Sequence, residues 1–448
     1  MDRRKLLLAG LAAPAYTQSV SDQLNRELRR SSPDYIAFQP KHWDGSTHDG
    51  LNEHFLVFNG PGGALMAIWT QSDKGAGMPG ARQKNRIVFS RSNDEGRTWQ
   101  PPTHVIGPRT QDDPEHMASW AFPMVSKRGR IYVVYNQNDG SKGWIEMHTG
   151  HMAAVCSDDN GKTWSKPQRI PMPESPYDDP QRRTPAEWIV WQLPMRDLKG
   201  GYFVGYTHWL NPARAGWKKT EAWTQIESVV EFLRFENIDQ HPDPGALKVR
   251  YSAWGDKALR APYWRDPLLS VAQEPSLVRL PDNRLFCTMR SNSGYIWYSL
   301  SNDDGENWCN PRPLLRKDFG QPILQPVSCS PVYQLADGRY LLLHHNNRGI
   351  WDSTPEKTHS PRRPAFLALG EFRPKADQPL WFSDSKEFVD NGDVGVDGRA
   401  DHPQKGIAIY TSFTTRKNKN VLWYPDRKFF LLGKEVTPGF LADLKVPS

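Results

Sequence analysis

One eight-residue pattern occurs three times in this chain and limits what it can fold into. Ser92-Asn93-Asp94-Glu95-Gly96-Arg97-Thr98-Trp99, Ser157-Asp158-Asp159-Asn160-Gly161-Lys162-Thr163-Trp164 and Ser301-Asn302-Asp303-Asp304-Gly305-Glu306-Asn307-Trp308 share S-x-D-x-G-x-T-W, the third with Asn307 in place of Thr. Asp bonds its own backbone in tight turns, Gly takes up positive φ, and Thr and Trp resume an extended strand. Each copy therefore reads as a turn within an antiparallel sheet, its Trp ring covering the hairpin against a neighbour. The copies begin at residues 92, 157 and 301, so the second interval is a little over twice the first. Repetition of this kind decides the fold before any local assignment does.

The stretches between the copies agree. Short β-branched and aromatic runs, bounded by Gly, Asn, Asp and Pro, predict strands at Phe55–Phe58, Ala64–Trp69, Arg86–Arg91, Ile131–Tyr135, Ala153–Cys156 and Tyr202–Thr207. Further ones are predicted at Leu285–Met289, Ile296–Leu300, Tyr340–His344 and Ile407–Phe413. No long helical period interrupts them, and 18 Trp, 15 Tyr and 18 Phe supply ample ring surface for packing sheet on sheet. The segment Ser19–Ser32 is polar and charged, a lead-in within residues 16–34 that reads as a short helix or a loose arm. Pro- and Trp-rich segments at 171–188, 208–224 and 351–364 read as long loops, the usual carriers of binding residues on a rigid scaffold.

The repeated pattern resembles the Asp box of sialidases and related proteins. The resemblance implies an all-β fold, a six-bladed β-propeller of the sialidase type, in a single domain over 35–448 with roughly 70 residues per blade. In that family the boxes lie away from the substrate face, so they speak for the fold and not for a reaction. A second stretch is more telling. Gln273-Glu274-Pro275-Ser276-Leu277, followed by Met289-Arg290-Ser291 and the third box, resembles a sialidase blade in which a Glu opens one strand and an Arg follows the next. By that resemblance Glu274 would activate a tyrosine nucleophile and Arg290 would help clamp a substrate carboxylate. Ala408-Ile409-Tyr410-Thr411-Ser412 resembles the last-blade segment that bears the nucleophile, here Tyr410. A neutral phenol deprotonated by Glu avoids the repulsion that an anionic nucleophile would meet beside a carboxylate.

Other roles follow by position. Asp73 is the Asp between the first strands and the first box, where the family carries its acid/base residue; an ordinary loop Asp fits the same place. Arg363, or its neighbour Arg362, would supply a further clamp residue or a solvated loop charge. His54 falls at the expected substrate mouth, and Trp120 is an aromatic face suited to a sugar, beside Trp188, Trp191, Trp209 and Trp217. His116, His344 and His345 are open to a base or ligand role, and a structural one is the plainer reading. Glu274 with Arg290 is equally open to a blade-edge ion pair, and Tyr410 to strand packing. One departure stands out. Where sialidases carry an Arg-Ile-Pro motif, this chain reads Glu53-His54-Phe55. An anion in place of the clamp arginine turns attraction for a carboxylate into repulsion, which speaks against sialic acid as the substrate unless Glu53 is protonated or turned aside.

A net charge of +7 with basic residues scattered along the chain favours an anionic glycan partner over nucleic acid. Cys156, Cys287, Cys309 and Cys329 have no metal-site spacing, and neither metal nor cofactor is implied. Asp2-Arg3-Arg4-Lys5, the apolar Leu6–Ala13 and Ala13-Pro14-Ala15 read as an export signal over residues 1–15, with Arg3-Arg4 resembling a twin-arginine signal. That predicts a periplasmic or extracellular protein without a membrane span. Three functions remain in view: a sialidase-like exo-glycosidase, a polysaccharide lyase acting on uronates, and a non-catalytic glycan-binding propeller.

Overall fold

A computed structural model describes residues 19–448 apart from 45, 74–82, 144, 215–225, 264–265, 350–360 and 403. The expected signal segment, Trp217 and most of the loop at 351–364 lie outside the described residues. Among the described residues, six antiparallel sheets of four or five strands follow one another along the chain, with a two-stranded pair, Pro262–Tyr263 and Asp266–Ser270, between the third and fourth. Blade I runs Leu51–Asn59, Leu65–Ser72, Asn85–Ser92, Thr103–Ile106, and blade II Ala118–Val125, Ile131–Gln137, His151–Ser157, Gln168–Arg169. Blade III has a divided inner strand, Trp188–Ile189 and Met195–Arg196, both paired with Tyr202–Trp209, and continues through Ser228–Phe235 and Val249–Ser252. Blade IV is Gln273–Arg279, Leu285–Arg290, Trp297–Ser301, Arg312–Pro313; blade V is Val332–Gln334, Tyr340–His344, Ala365–Phe372, Leu380–Phe382, with Lys386–Val389 added. Blade VI joins Ser412–Arg416, Lys419–Asp426 and Phe430–Glu435 to Tyr35–Phe38 from the beginning of the chain, which closes the ring. The lead-in contains a helix, Val20–Leu28, capped by Ser19, whose hydroxyl accepts from the Asp22 amide at 3.2 Å. Among the described residues no helix is long and apolar enough to cross a membrane. The four cysteines are unpaired.

Each eight-residue pattern is a left-handed two-residue turn between the third and fourth strands of its blade. Glu95 and Gly96 have φ of 63° and 86°, Asn160 and Gly161 63° and 80°, Asp304 and Gly305 58° and 89°. The pattern's Asp caps the turn: Asp94 Oδ1 accepts from the Thr98 amide at 2.9 Å and Oδ2 from its hydroxyl at 2.6 Å. In the third copy Asn307 donates its side-chain amide to Asp303 Oδ2 at 2.7 Å, which explains why Asn replaces Thr without loss of the bond. Glycine is demanded by contact as well as by φ. A Cβ at Gly96, Gly161 or Gly305 would lie 2.5, 2.4 or 2.5 Å from Trp423, Phe89 or Phe203, an aromatic ring of the preceding blade in every case. The pattern's Trp touches the same neighbour, with Trp99 5.6 Å from Trp423, Trp164 5.6 Å from Phe89 and Trp308 stacked at 4.4 Å on Phe232. The repeat therefore fastens blades I, II and IV to the blades before them.

Register places these turns far from the other end of the blade. Asn59, Leu65 and Ser92 lie in one row across blade I, whereas Glu53 pairs with Thr70 and Thr70 with Ile87, five residues along the second strand and roughly 17 Å away. At that second end the inner strands are kinked. His54, Trp120, Glu274 and Tyr410 all have left-handed backbones, with φ of 59°, 58°, 50° and 62°. The ladders of blades I, II and IV shift register there, between Glu53 and Leu56, Ser119 and Phe122, and Gln273 and Ser276. A residue so turned takes its amide out of the ladder, and the neighbouring blade accepts it. The Trp120 amide donates to Thr70 Oγ1 at 3.1 Å, that of Glu274 to Thr207 Oγ1 at 2.7 Å, and that of Tyr410 to Cys329 Sγ at 3.2 Å. The strand expected over Ile407–Phe413 is corrected for the same reason. Ala408 and Tyr410 are both left-handed, and the ladder begins only at Ser412.

The rim before Trp188 is pinned by a buried histidine. His208 Nδ1 lies 2.9 Å from Glu231 Oε2, and Nε2 3.0 Å from Asp178 Oδ1. Burial alone would depress its pKa, but Glu231 and Asp178 carry it up to about 10.

Three measurements test this account. Gly161→Ala puts a methyl into Phe89 at a strained φ and should cost about 1–3 kcal/mol in denaturant unfolding. Thr207→Val keeps shape but leaves the Glu274 amide buried without its acceptor, a loss of about 1–3 kcal/mol by the same measurement. For His208 the folded pKa lies above the ordinary 6.5, so its stabilisation is full below that value and lost as pH rises through about 10. The stability gap between the parent and His208→Gln should accordingly narrow from pH 6 to pH 10; a gap that widens refutes the clamp.

Candidate active site

The kinks aim four side chains at the ring's central mouth, and the register of blade IV adds a fifth. Gln273 pairs with Arg290, so the residue beside Glu274 and the last residue of the next strand meet. Tyr410 Oη donates to Glu274 Oε1 at 2.7 Å, and Arg290 Nη1 lies 2.7 Å from the same oxygen. Arg290 Nε and Nη2 both donate to Gln273 Oε1, at 2.8 and 2.6 Å. Glu274, Arg290 and Tyr410 are 1%, 1% and 3% exposed. Three residues separated widely in sequence thus form one buried acid, guanidinium and phenol cluster. Burial first, and then the Glu274 charge, hold the Tyr410 pKa well above that of an ordinary phenol, while Arg290 and Arg362 oppose them.

Arg362 is the second guanidinium of this cluster. Its Nε donates to the Val327 carbonyl at 3.0 Å, and burial and then Arg290 push its pKa down. Arg363 turns the other way: its Nε donates to Asp390 Oδ1 at 2.9 Å and its charge is taken up there. Sequence alone left the two adjacent arginines interchangeable, and here the inner one is Arg362. Asp73 is wholly buried in an ion pair with Arg86 at 2.6 Å, its other oxygen 3.5 Å from His48 Nδ1. His54 and Trp120 do pack on the phenol, with ring centroids 6.5 and 5.2 Å from that of Tyr410. Burial pushes the His54 pKa down to about 3, so its ring is neutral. His148, stacked on Trp209 at 4.5 Å, is likewise held at about 3 by burial and then by Arg290. His344 and His345 serve the fold, binding the Leu324 and Ile407 carbonyls at 3.0 Å each; His116 is exposed.

Trp191 completes the aromatic wall, 6.2 Å from Tyr410. It reaches the mouth because the inner strand of blade III leaves the sheet between Ile189 and Met195. Trp120 Nε1, Trp191 Nε1, His148 Nδ1 and Glu274 Oε2 are buried without a hydrogen-bond partner among the described residues. Buried polar groups are paired as a rule, so a concentration of exceptions around one phenol marks a place built for a ligand.

Glu53 is where the sequence departs from the family pattern, and its charge is answered from across the ring. Lys428 Nζ forms an ion pair with Glu53 Oε2 and sits 5.4 Å from the Tyr410 ring centroid. Lys428 occupies a left-handed hairpin turn with Arg427, φ 50° and 59°. Nothing in the sequence joins it to Glu53, since the partners belong to the first and last blades. An open cleft of about 610 Å³ lies elsewhere, along Arg169, Arg183 and Asp179. Its Arg182 and Arg183 are already paired with Glu174 and Asp179, and it holds no counterpart of the phenol cluster. The candidate site is therefore the cluster around Tyr410.

A model of the BNR repeat-like domain family matches residues 63–386. No curated protein matches the chain. Among solved structures, the NanB sialidase of Streptococcus pneumoniae aligns with a TM-score of 0.58 at 13% identity, over 92% of this chain and 71% of that one. The intramolecular trans-sialidase of Ruminococcus gnavus gives 0.56 at 14% identity over 92% and 99%, and a protein of unknown function from Dyadobacter fermentans 0.56 at 14% over 90% and 96%. At such identities the likeness is one of fold. With the family model covering most of the chain and six blades in a ring, the chain belongs to the BNR repeat-like family, and its fold is a six-bladed β-propeller like that of the sialidases.

Proposed function

We propose that this protein is an exported glycoside hydrolase that removes terminal sugars from a glycan, with Tyr410 as nucleophile and Glu274 as its base. The observation that carries the reading is the 2.7 Å hydrogen bond from Tyr410 Oη to Glu274 Oε1 inside a pocket of unpaired polar atoms. A phenol is a poor nucleophile until a base removes its proton, and a base in contact removes it only as attack proceeds. Tyr410 Oη bonds to the anomeric carbon while its proton passes to Glu274 and the bond to the aglycone oxygen breaks. The aglycone leaves with a proton from the solvent; Asp73, expected as the acid by its place in the chain, is held in a buried ion pair with Arg86. Water then attacks the anomeric carbon, the phenol leaves and recovers its proton from Glu274, and the attacking water returns its proton to the solvent. Arg290 shares the Glu274 oxygen and holds it in line, and Trp120 and Trp191 offer ring faces to the sugar. The net charge of +7 supports an anionic glycan as the natural partner, and the leader-like start of the chain supports export.

Two experiments test this. Aryl glycosides, a sialoside included, should release their chromophore with the parent protein, and Tyr410→Phe or Glu274→Gln should lower kcat on the order of 10³-fold or more. Uronate polysaccharides should give no ultraviolet-absorbing product; such a product, surviving in Glu274→Gln, would make the protein a lyase. A glycan that binds without turnover, equally well in both variants, would make it a binding module. The pH profile of kcat/KM should show no break near the ordinary histidine value, because burial holds His54 and His148 at about 3. A break near pH 6.5 that disappears in His54→Gln would overturn that assignment.

A further inference from the structure

A glycosidase transition state places positive charge on the anomeric carbon and ring oxygen, and something negative must face it. In a 2-keto-acid sugar the substrate's own carboxylate, attached to that carbon, lies nearby. The protein must then hold that carboxylate, which takes a guanidinium edge presenting two parallel N–H groups. The guanidiniums here are committed elsewhere. Arg290 spends Nε and Nη2 on Gln273 and Nη1 on Glu274, Arg362 puts Nε and Nη2 on the Val327 carbonyl, and Arg363 is held by Asp390. The remaining cation, Lys428, is a point charge paired with a carboxylate that belongs to the protein.

We propose that Glu53 is a catalytic carboxylate that faces the anomeric carbon in place of a substrate carboxylate, and that the substrate is therefore an aldopyranoside, with hydrogen at the anomeric carbon. This rests on the Tyr410–Glu274 reading above and names the class of sugar that site accepts.

Three observations support it. Glu53 stands at the kink of blade I, immediately before left-handed His54, whose ring packs on Tyr410; the bulge directs this corner of the strand into the mouth. Its partner Lys428 lies over the Tyr410 ring, so the carboxylate is one ion-pair contact from the nucleophile's own surroundings, and its charge contributes to the raised pKa of that phenol. Finally, Glu53 is 1% exposed whereas the Lys428 side chain is 22% exposed, which makes Lys428 the member of the pair that meets an arriving ligand. A flexible ammonium can move onto a sugar hydroxyl. Glu53 is then left to face the sugar ring, unpaired at the moment positive charge develops there. The use of a neutral phenol as nucleophile fits as well. The negative charge that would repel an anionic nucleophile is supplied here by Glu53.

The test uses the full chain and 4-methylumbelliferyl glycosides: a panel of α- and β-aldopyranosides, and the α-sialoside of N-acetylneuraminate. An aldopyranoside should be cleaved, the sialoside should not, and Tyr410→Phe should abolish the cleavage. On that aldopyranoside Glu53→Ala should lower kcat about 10²–10³-fold with KM changed less than about 3-fold, and added formate should restore at least about 10-fold of the loss. A role confined to the fold would not respond to formate. Glu53→Asp, which keeps the charge, should retain more activity than Glu53→Ala and unfold within a few degrees of the parent. Sialoside cleavage that is lost in Tyr410→Phe overturns this inference and leaves the tyrosine–glutamate reading standing. Release from none of the glycosides overturns both. Aldopyranoside cleavage that Glu53→Ala leaves intact, or a loss that formate does not repair, removes Glu53 from the chemistry and overturns the inference.

Discussion

The architecture of the mouth depends on a backbone that a β-strand normally forbids. Four inner-strand residues, His54, Trp120, Glu274 and Tyr410, adopt left-handed φ although none is glycine. Each such residue carries a cost on the order of 1 kcal/mol, and the amides of Trp120, Glu274 and Tyr410 are turned to a neighbouring blade. For Trp120 and Glu274 the amide is caught by Thr70 and Thr207, equivalent threonines on the second strand of the blade before. One device therefore performs two tasks. It rotates a side chain from the sheet face into the central opening, and it ties neighbouring blades together where the ring is narrowest.

What those kinks gather is an electrostatic arrangement with little slack. Two guanidiniums, Arg290 and Arg362, are buried near one another, burial and then Arg290 lowering the pKa of Arg362, and Glu274 lies against Arg290. Isolated buried charges cost several kcal/mol, and these are held by hydrogen bonds: Arg290 by Gln273, Arg362 by the Val327 carbonyl, Glu274 by the Tyr410 hydroxyl. The phenol is the neutral member on which both carboxylates act. A nucleophile uncharged at rest lets the site keep this balance until a sugar arrives, and the proton transfer to Glu274 then moves charge within the cluster without adding any.

The fold was legible because the repeated turn is a local motif whose every residue has a local reason, from the Asp cap to the glycine that lies against the preceding blade's ring. Glu274 and Arg290 were legible for a related cause. They fall at the end of adjacent strands in one blade, where ladder register fixes who meets whom. Legibility failed where no ladder operates. Arg362 and Arg363 share an irregular approach to blade V, and without alternation nothing in the sequence says which one turns inward. The strand expected at Ile407–Phe413 was drawn from composition, yet its first half had to leave the ladder to present Tyr410. Glu53 was visible as an oddity, but its meaning lay in Lys428, in a turn of the last blade. A pair made by ring closure leaves no trace in local sequence.

The turn from Asp426 to Phe429 puts two basic residues at left-handed positions usually left to Asn and Gly. Arg427 is fully buried and reaches Glu27 on the leading helix, at 2.6 Å to its carbonyl and 3.3 Å to its carboxylate, and also Asp426 at 2.7 Å. Lys428, next to it, reaches Glu53 and overlies Tyr410. The Lys428 carbonyl accepts from the Asn52 amide at 2.7 Å, so blade I is joined to the same turn by its backbone. One strained hairpin thus fastens the first helix, the first blade and the last blade together. The strain is offset by the two side chains it directs, one to the closure and one to the mouth. Loosening the leading helix should therefore be felt at the phenol, because Arg427 and Lys428 cannot be displaced separately.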